Sequence, residues 1–230
     1  MNVRSRTDDL SAIAAIGEPI RRSLFDFVAN SPDAVSRDDA ADQLSIPRAT
    51  AAFHLDRLVE SGLLTAQFAR RTGRTGPGAG RPSKLYRRAE EEFSASIPER
   101  HYDLAAELLS SAIEEAERTG EPVREALTRV SIDYGRRLGT LADSFGSVLA
   151  TCGYEPRDDG AGGFVLSNCP FHRLAQAHTD TICQANVALL TGVALGTAEP
   201  ADLVRFDPGA GRCCVRIVPS DGADGANGAD

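Results

Sequence analysis

The feature that most constrains the fold is a change of hydrophobic period at Gly62. Before it, Leu10, Ile13, Ile16, Ile20, Leu24 and Phe27 recur at three- and four-residue steps, which predicts an amphipathic helix running to about Ala29 with Pro19 in a first-turn position. Ser31-Pro32-Asp33 breaks that pattern, and Ser36 with Asp39 three residues later opens a short helix through Gln43 with a capping signature. Leu44 to Pro47 is a tight connection, Pro47 starts the next helix, and Ala51, Ala52, Leu55, Leu58 and Val59 form its inward face up to Gly62. Beyond Gly62, Leu63 to Phe68 and Ser83 to Tyr86 read as two strands of a hairpin joined by a long Gly/Arg/Pro loop. Two short helices on a tight turn followed by a basic hairpin form a winged helix-turn-helix.

Charge supports this reading only when divided along the chain. The formal net charge of −8 is unfavourable for a partner lined with phosphates. Residues 1–90, however, carry 14 basic and 11 acidic side chains, net +3, whereas residues 91–230 carry 11 and 22, net −11. From Phe68 to Arg88 there are seven basic residues and no acidic one. A duplex offers a dense line of phosphates and a major groove about one helix wide, so double-stranded DNA is the expected partner. Arg48, Thr50, His54 and Arg57, near the front of the second helix, are the candidate groove contacts. Arg71, Arg74, Arg81 and Lys84 of the hairpin are candidates for the backbone or the neighbouring minor groove.

The rest of the chain reads as helices from Pro98 to about Arg118 and from Pro122 to Leu149, a connector and dimerisation surface. After them come a hairpin around Arg157 to Gly163, a helical stretch from Pro170 to about Gly196, and strands at Leu203–Phe206 and Cys213–Val218. The fold class is α+β in three parts: a winged helix-turn-helix domain (1–90), a helical connector (91–150) and a small cysteine-containing sensory domain (151–219), with a Gly/Ala/Asp tail (220–230) expected to be disordered. The opening MNVRSRTDDL has no leader pattern and no run of 18 apolar residues occurs, so a cytoplasmic protein without membrane association is expected.

Five cysteines, an odd number, argue against a disulfide framework. Cys169 precedes Pro170 and stands where a helix N-cap is expected, a position that favours a thiolate, and His172 follows at C-x2-H spacing. Together with Cys152, Cys183 and the Cys213-Cys214 pair, these residues supply the thiols and imidazole that zinc, iron or an iron–sulfur cluster would use; buried core cysteines are the alternative. Strand alternation allows only one of Cys213 and Cys214 to face a shared site. No G-x-S-x-G, phosphate loop or H-E-x-x-H occurs, so an enzyme is not expected, a thiol enzyme using Cys169 and His172 included.

The run IPRATAAFHLDRLVESGLLTAQFARR followed by GRPSKLYRR resembles the winged-helix domains of ArsR-like bacterial transcription regulators, with Arg81 to Tyr86 as the second wing strand. The resemblance implies a homodimer that reads two half-sites and responds to an effector. Asn168-Cys169-Pro170-Phe171-His172, with Cys183 and a final cysteine further on, is similar to the sensory domains of SufR-type repressors. That similarity implies an iron–sulfur cluster on Cys169, Cys183 and one of Cys213 or Cys214, with Cys152 or His172 as a further ligand. Zinc, another metal or a small organic effector is the alternative.

Overall fold

The computed structural model describes residues 6–69, 82–209 and 211–218. The chain divides into two compact units, 1–95 and 96–230. The expected tail and wing tip, with Arg71, Arg74 and Arg81, lie outside the described residues.

In the first unit, α2 (Pro19–Ala29) is the helix expected to run to about Ala29 with Pro19 in its first turn, and Leu10, Ile13 and Ile16 lie on a separate helix before it, α1 (Arg6–Ile16). The break falls at Gly17, and Glu18 restarts the chain by accepting hydrogen bonds from the Ile20 and Arg21 amides at 3.0 and 2.7 Å. A two-residue strand β1 (Val35–Ser36) then leads into α3 (Arg37–Leu44). Ser36 and Asp39 close the expected capping box, with Asp39 N–H donating to Ser36 Oγ at 3.2 Å and Ser36 N–H to Asp39 Oδ2 at 3.0 Å. Ser45 makes the sharp turn in the left-handed region, φ 52°. Pro47 then delivers the chain into α4 (Arg48–Glu60). Ala40, Ala51, Leu55 and Leu58 are wholly buried where α3 and α4 cross, so small side chains hold the two helices close.

The wing strands are β2 (Leu64–Ala69) and β3 (Ser83–Arg88), antiparallel, with β1 on the other edge of β3. One carboxylate ties this sheet to α4. Asp56 Oδ1 accepts from Lys84 Nζ at 2.6 Å and from the Tyr86 hydroxyl at 2.8 Å. Lys84 and Tyr86 are two apart on β3 and so share a face. Burial pushes the Asp56 carboxyl up, but the two bonds outweigh it and hold the group below its usual value. Burial, then the Asp56 bond, raises the Tyr86 phenol and keeps it a donor.

The second unit contains α5 (Tyr102–Thr119), α6 (Val123–Thr140), α7 (Phe145–Thr151), α8 (His172–Ala177) and α9 (Thr179–Gly196). Its sheet is formed by β4 (Pro156–Asp158), β5 (Phe164–Leu166), β6 (Val204–Phe206) and β7 (Val215–Ile217), all neighbours antiparallel in the order β4-β5-β7-β6. The helical connector and the cysteine region read from the sequence thus share one core, centred on α9. Its two halves meet through paired glycines four apart, Gly135 and Gly139 on α6 against Gly192 and Gly196 on α9. A Cβ at Gly135 would fall 2.0 Å from the Leu189 carbonyl oxygen, and one at Gly192 would fall 2.1 Å from that of Ile132. The helices therefore touch backbone to backbone. Among the described residues no helix is long and apolar enough to cross a membrane.

Three stability predictions arise from this packing and from the Asp56 bonds. Gly192→Ala should destabilise the full chain in urea by about 3 kcal/mol, because the clash is with backbone and the helices must part. Gly146→Ala, where an added Cβ meets only Ser144 Oγ at 3.9 Å, should be neutral or stabilising. Asp56→Asn should lower thermal stability at neutral pH, and its deficit against the wild type should narrow as pH falls below about 4, where the unfolded chain's carboxylate takes up its proton while the folded one, held lower, still resists. A deficit that stays constant into acid would mean that the ionised form of Asp56 contributes nothing.

Candidate functional site

On α4 the buried stripe of Ala51, Leu55 and Leu58 leaves Arg48, Ala49, Phe53 and Arg57 on the opposite, exposed side. Arg48 forms an ion pair with Asp38 of α3, and Arg57 Nη1 lies 2.8 Å from Glu60 Oε2. Both guanidinium groups are more than half exposed, so these are surface pairs that a phosphate or base edge can displace. Phe53 is 56% exposed with the Arg57 guanidinium 6.0 Å from its ring centre. It was not among the expected contacts, although its place in the sequence, four residues from both Ala49 and Arg57, puts it on their stripe.

Thr50 and His54 sit on a different flank. Both are half-buried. His54 Nδ1 lies 3.6 Å from Glu18 Oε2, with its side chain 13% exposed, so this imidazole packs toward the start of α2 instead of standing on the open face. Lys84 is likewise engaged with Asp56, as a clamp between wing and α4 and not as the free cation expected from composition. Arg87 and Arg88 at the end of β3 are exposed. Asp56 was overlooked in the sequence; the alternation of Lys84 and Tyr86 was the available signal that one partner serves both.

In the second unit all five cysteines are buried and none is in a disulfide. Four of them form one chain of contacts: Cys169 to Cys213, Cys213 to Cys214, and Cys214 to Cys183. Three segments bring them together. Cys169 lies between β5 and α8, in a loop held by Asn168, whose Nδ2 donates to the Gly153 carbonyl at 2.6 Å and to that of Glu99 at 3.1 Å. Cys183 is on α9. Cys213 and Cys214 lie just before β7, pinned by Cys213 N–H to the Leu166 carbonyl and Asp207 N–H to the Cys214 carbonyl, both 2.8 Å.

Two expectations are corrected by this geometry. Cys213 and Cys214 stand in a bend and not within the strand, so strand alternation does not apply and both sulfurs join the group. Cys169 is not a helix cap: α8 begins at His172 with Phe171 as its N-cap, and the Cys169 carbonyl accepts from the His172 amide at 3.1 Å in the turn before it. His172 is exposed at the start of α8, away from the buried sulfurs, and His178 is exposed as well. Cys152 shares the core but not the contact chain; burial pushes its thiol up to about 11.

Cys213 is the centre of the group. Its sulfur accepts from Asn186 Nδ2 at 3.2 Å, and its neighbours Cys169 and Cys214 outweigh burial in holding its thiol below the usual range. Cys169 and Cys214 are raised, first because each donates to Cys213 and then by burial. The buried Tyr154 hydroxyl donates to Asn186 Oδ1, and burial keeps it protonated. Among the described residues no three His, Cys, Asp or Glu side chains stand arranged to hold a metal ion. Thiols are nevertheless the donor type that soft metals and iron–sulfur groups require.

No curated protein and no solved structure matches the chain. Residues 16–67, which span α2, α3, α4 and most of β2, match the family model described as a helix-turn-helix domain. With the capped α3, the left-handed turn at Ser45 and the exposed stripe of α4 already in place, the chain carries a helix-turn-helix DNA-binding domain in its first unit.

Proposed function

We propose that this protein is a dimeric, cytoplasmic transcription regulator, acting as a repressor, whose second unit holds an iron–sulfur group on Cys169, Cys183, Cys213 and Cys214 and thereby reports iron–sulfur or redox status. The observation that carries the reading is the contact of four buried thiols from three separated segments. An iron–sulfur group on thiolate ligands supplies a change of charge on oxidation or loss, which is the kind of signal a regulator needs. The chain's own part would be to keep the four sulfurs buried in one core. Zinc would accept the same four donors. A small organic effector is the second reading, favoured by an open groove of about 480 Å³ in the second unit lined by Arg124, Thr128, Arg129, Asp133 and Gln184.

Protein purified without oxygen should be coloured and contain iron and acid-labile sulfide. Serine at Cys169, Cys183, Cys213 or Cys214 should abolish that content, whereas Cys152→Ser and His172→Ala should retain it. Zinc alone would replace the cluster reading, and a metal-free, colourless protein that binds its operator equally with and without reductant would sink it.

DNA binding is tested on the first unit's own side chains. Arg48→Ala or Arg57→Ala should weaken operator binding by about 1–3 kcal/mol where a base contact is lost. Replacing Arg71 and Arg74 together should weaken all sequences alike and flatten the salt dependence, as expected for cations that meet only phosphates. Equal loss on specific and random duplexes for the α4 variants would remove them from base reading.

A further inference from the structure

We propose that Phe53 is a specificity-determining residue of α4, whose phenyl ring reads the C5 methyl group of a thymine in the major groove. The inference rests on the helix-turn-helix as a reader of duplex DNA and goes beyond it to the base that one side chain selects.

Phe53 stands in the middle of the exposed stripe of α4, one turn after Ala49 and one turn before Arg57. It is 56% exposed, although the same helix buries Leu55 and Leu58 completely. A phenyl ring has neither charge nor a hydrogen-bonding atom, so phosphates and the polar edges of the bases give it no partner. The apolar group on the edge of a base pair in the major groove is the thymine methyl, and phenylalanine is one of the side chains that meet it. The neighbours of Phe53 suit the ring to that use. Ala49 carries only a methyl group, so the preceding turn of the stripe leaves the ring free to approach the bases. His54 lies edge-on to it, with ring centroids 5.1 Å apart and planes at 73°, and the imidazole side chain is itself only 13% exposed beside Glu18. The phenyl ring therefore rests on a packed side chain and is presented in one place. The Arg57 guanidinium is 6.0 Å from the ring centre, which at a rise of about 3.4 Å per base pair spans about two pairs. Arginine reads guanine through O6 and N7, so the thymine met by Phe53 should lie within about two pairs of a guanine met by Arg57.

The test uses the full chain, kept in reductant, and binding sites selected from a library of random duplexes. Each thymine of the selected site is then replaced singly by deoxyuridine, which removes the C5 methyl and leaves base pairing intact. The wild type should lose about fourfold in affinity at one such position, the worth of one methyl group withdrawn from water. Phe53→Ala should unfold in urea as the wild type does, bind the thymine and uracil duplexes equally at that position, and keep its salt dependence. Phe53→Leu should retain part of the discrimination. A selected site without thymine, a wild type indifferent to every replacement, or a Phe53→Ala chain with the wild-type ratio at every thymine overturns the inference and leaves DNA binding standing. A ring wedged between base pairs would give the second of these results. A wild-type chain that enriches no sequence overturns base reading by α4, and this inference with it, before any variant is made.

Discussion

The cysteine unit depends on how closely α6 and α9 approach. Gly135, Gly139, Gly192 and Gly196 remove the side chains that would otherwise separate the helices, and each faces a carbonyl oxygen of the opposite helix within what would be bonding range of an added Cβ. Such a contact fixes α9 both laterally and along its axis, because the i, i+4 glycine pairs interlock in one register only. Cys183 and Asn186 inherit that precision. If α9 slid by part of a turn, Cys183 would leave Cys214 and Asn186 would leave Cys213, since these contacts are made to a short bend that is itself fixed by its bond to Leu166.

The two units solve opposite electrostatic problems. The first must present cations to a polyanion, so Arg48 and Arg57 stand exposed in surface pairs worth little on their own, while a partly buried carboxylate, Asp56, is used to join wing and helix. The second must keep sulfur dry. Its surplus of acidic residues lies in a half of the chain that carries no helix-turn-helix, so the whole-chain net charge describes neither unit. Neglecting this division would have excluded a DNA partner on the strength of the average.

The helix-turn-helix was legible because its determinants are local: Ser36 and Asp39 cap one helix, Pro47 starts the next and Gly62 ends it, all within a few residues of what they control. The strand Val35–Ser36 was not, because two residues have no period and their partner, β3, is about fifty residues away. His54 was misjudged for a related reason. Its place near the front of α4 was right, but the flank it faces is decided by where α2 packs. In the second unit the spacing of Cys169 and His172 suggested shared coordination, which presupposed that a helix already contained Cys169; the helix starts at His172 and carries the imidazole outward. The glycine pairs of α6 and α9 were visible as small residues four apart, yet nothing local says that these two helices, more than fifty residues apart in sequence, are each other's partners.

The five cysteines of one core differ in what surrounds them. All are buried, so burial alone cannot distinguish them. Cys152 behaves as a small hydrophobe should: the core raises its thiol, and burial is the leading cause. Cys213 is buried as deeply and shifts the other way, because two thiols, a backbone amide and the Asn186 amide converge on its sulfur. An apolar residue at each of the four linked positions would satisfy the same core without requiring Asn186 and Tyr154 to be buried beside it. The Asn186 amide bonds Cys213 and not Cys152, so this buried polar pair follows Cys213 and not the hydrophobic demand of the core.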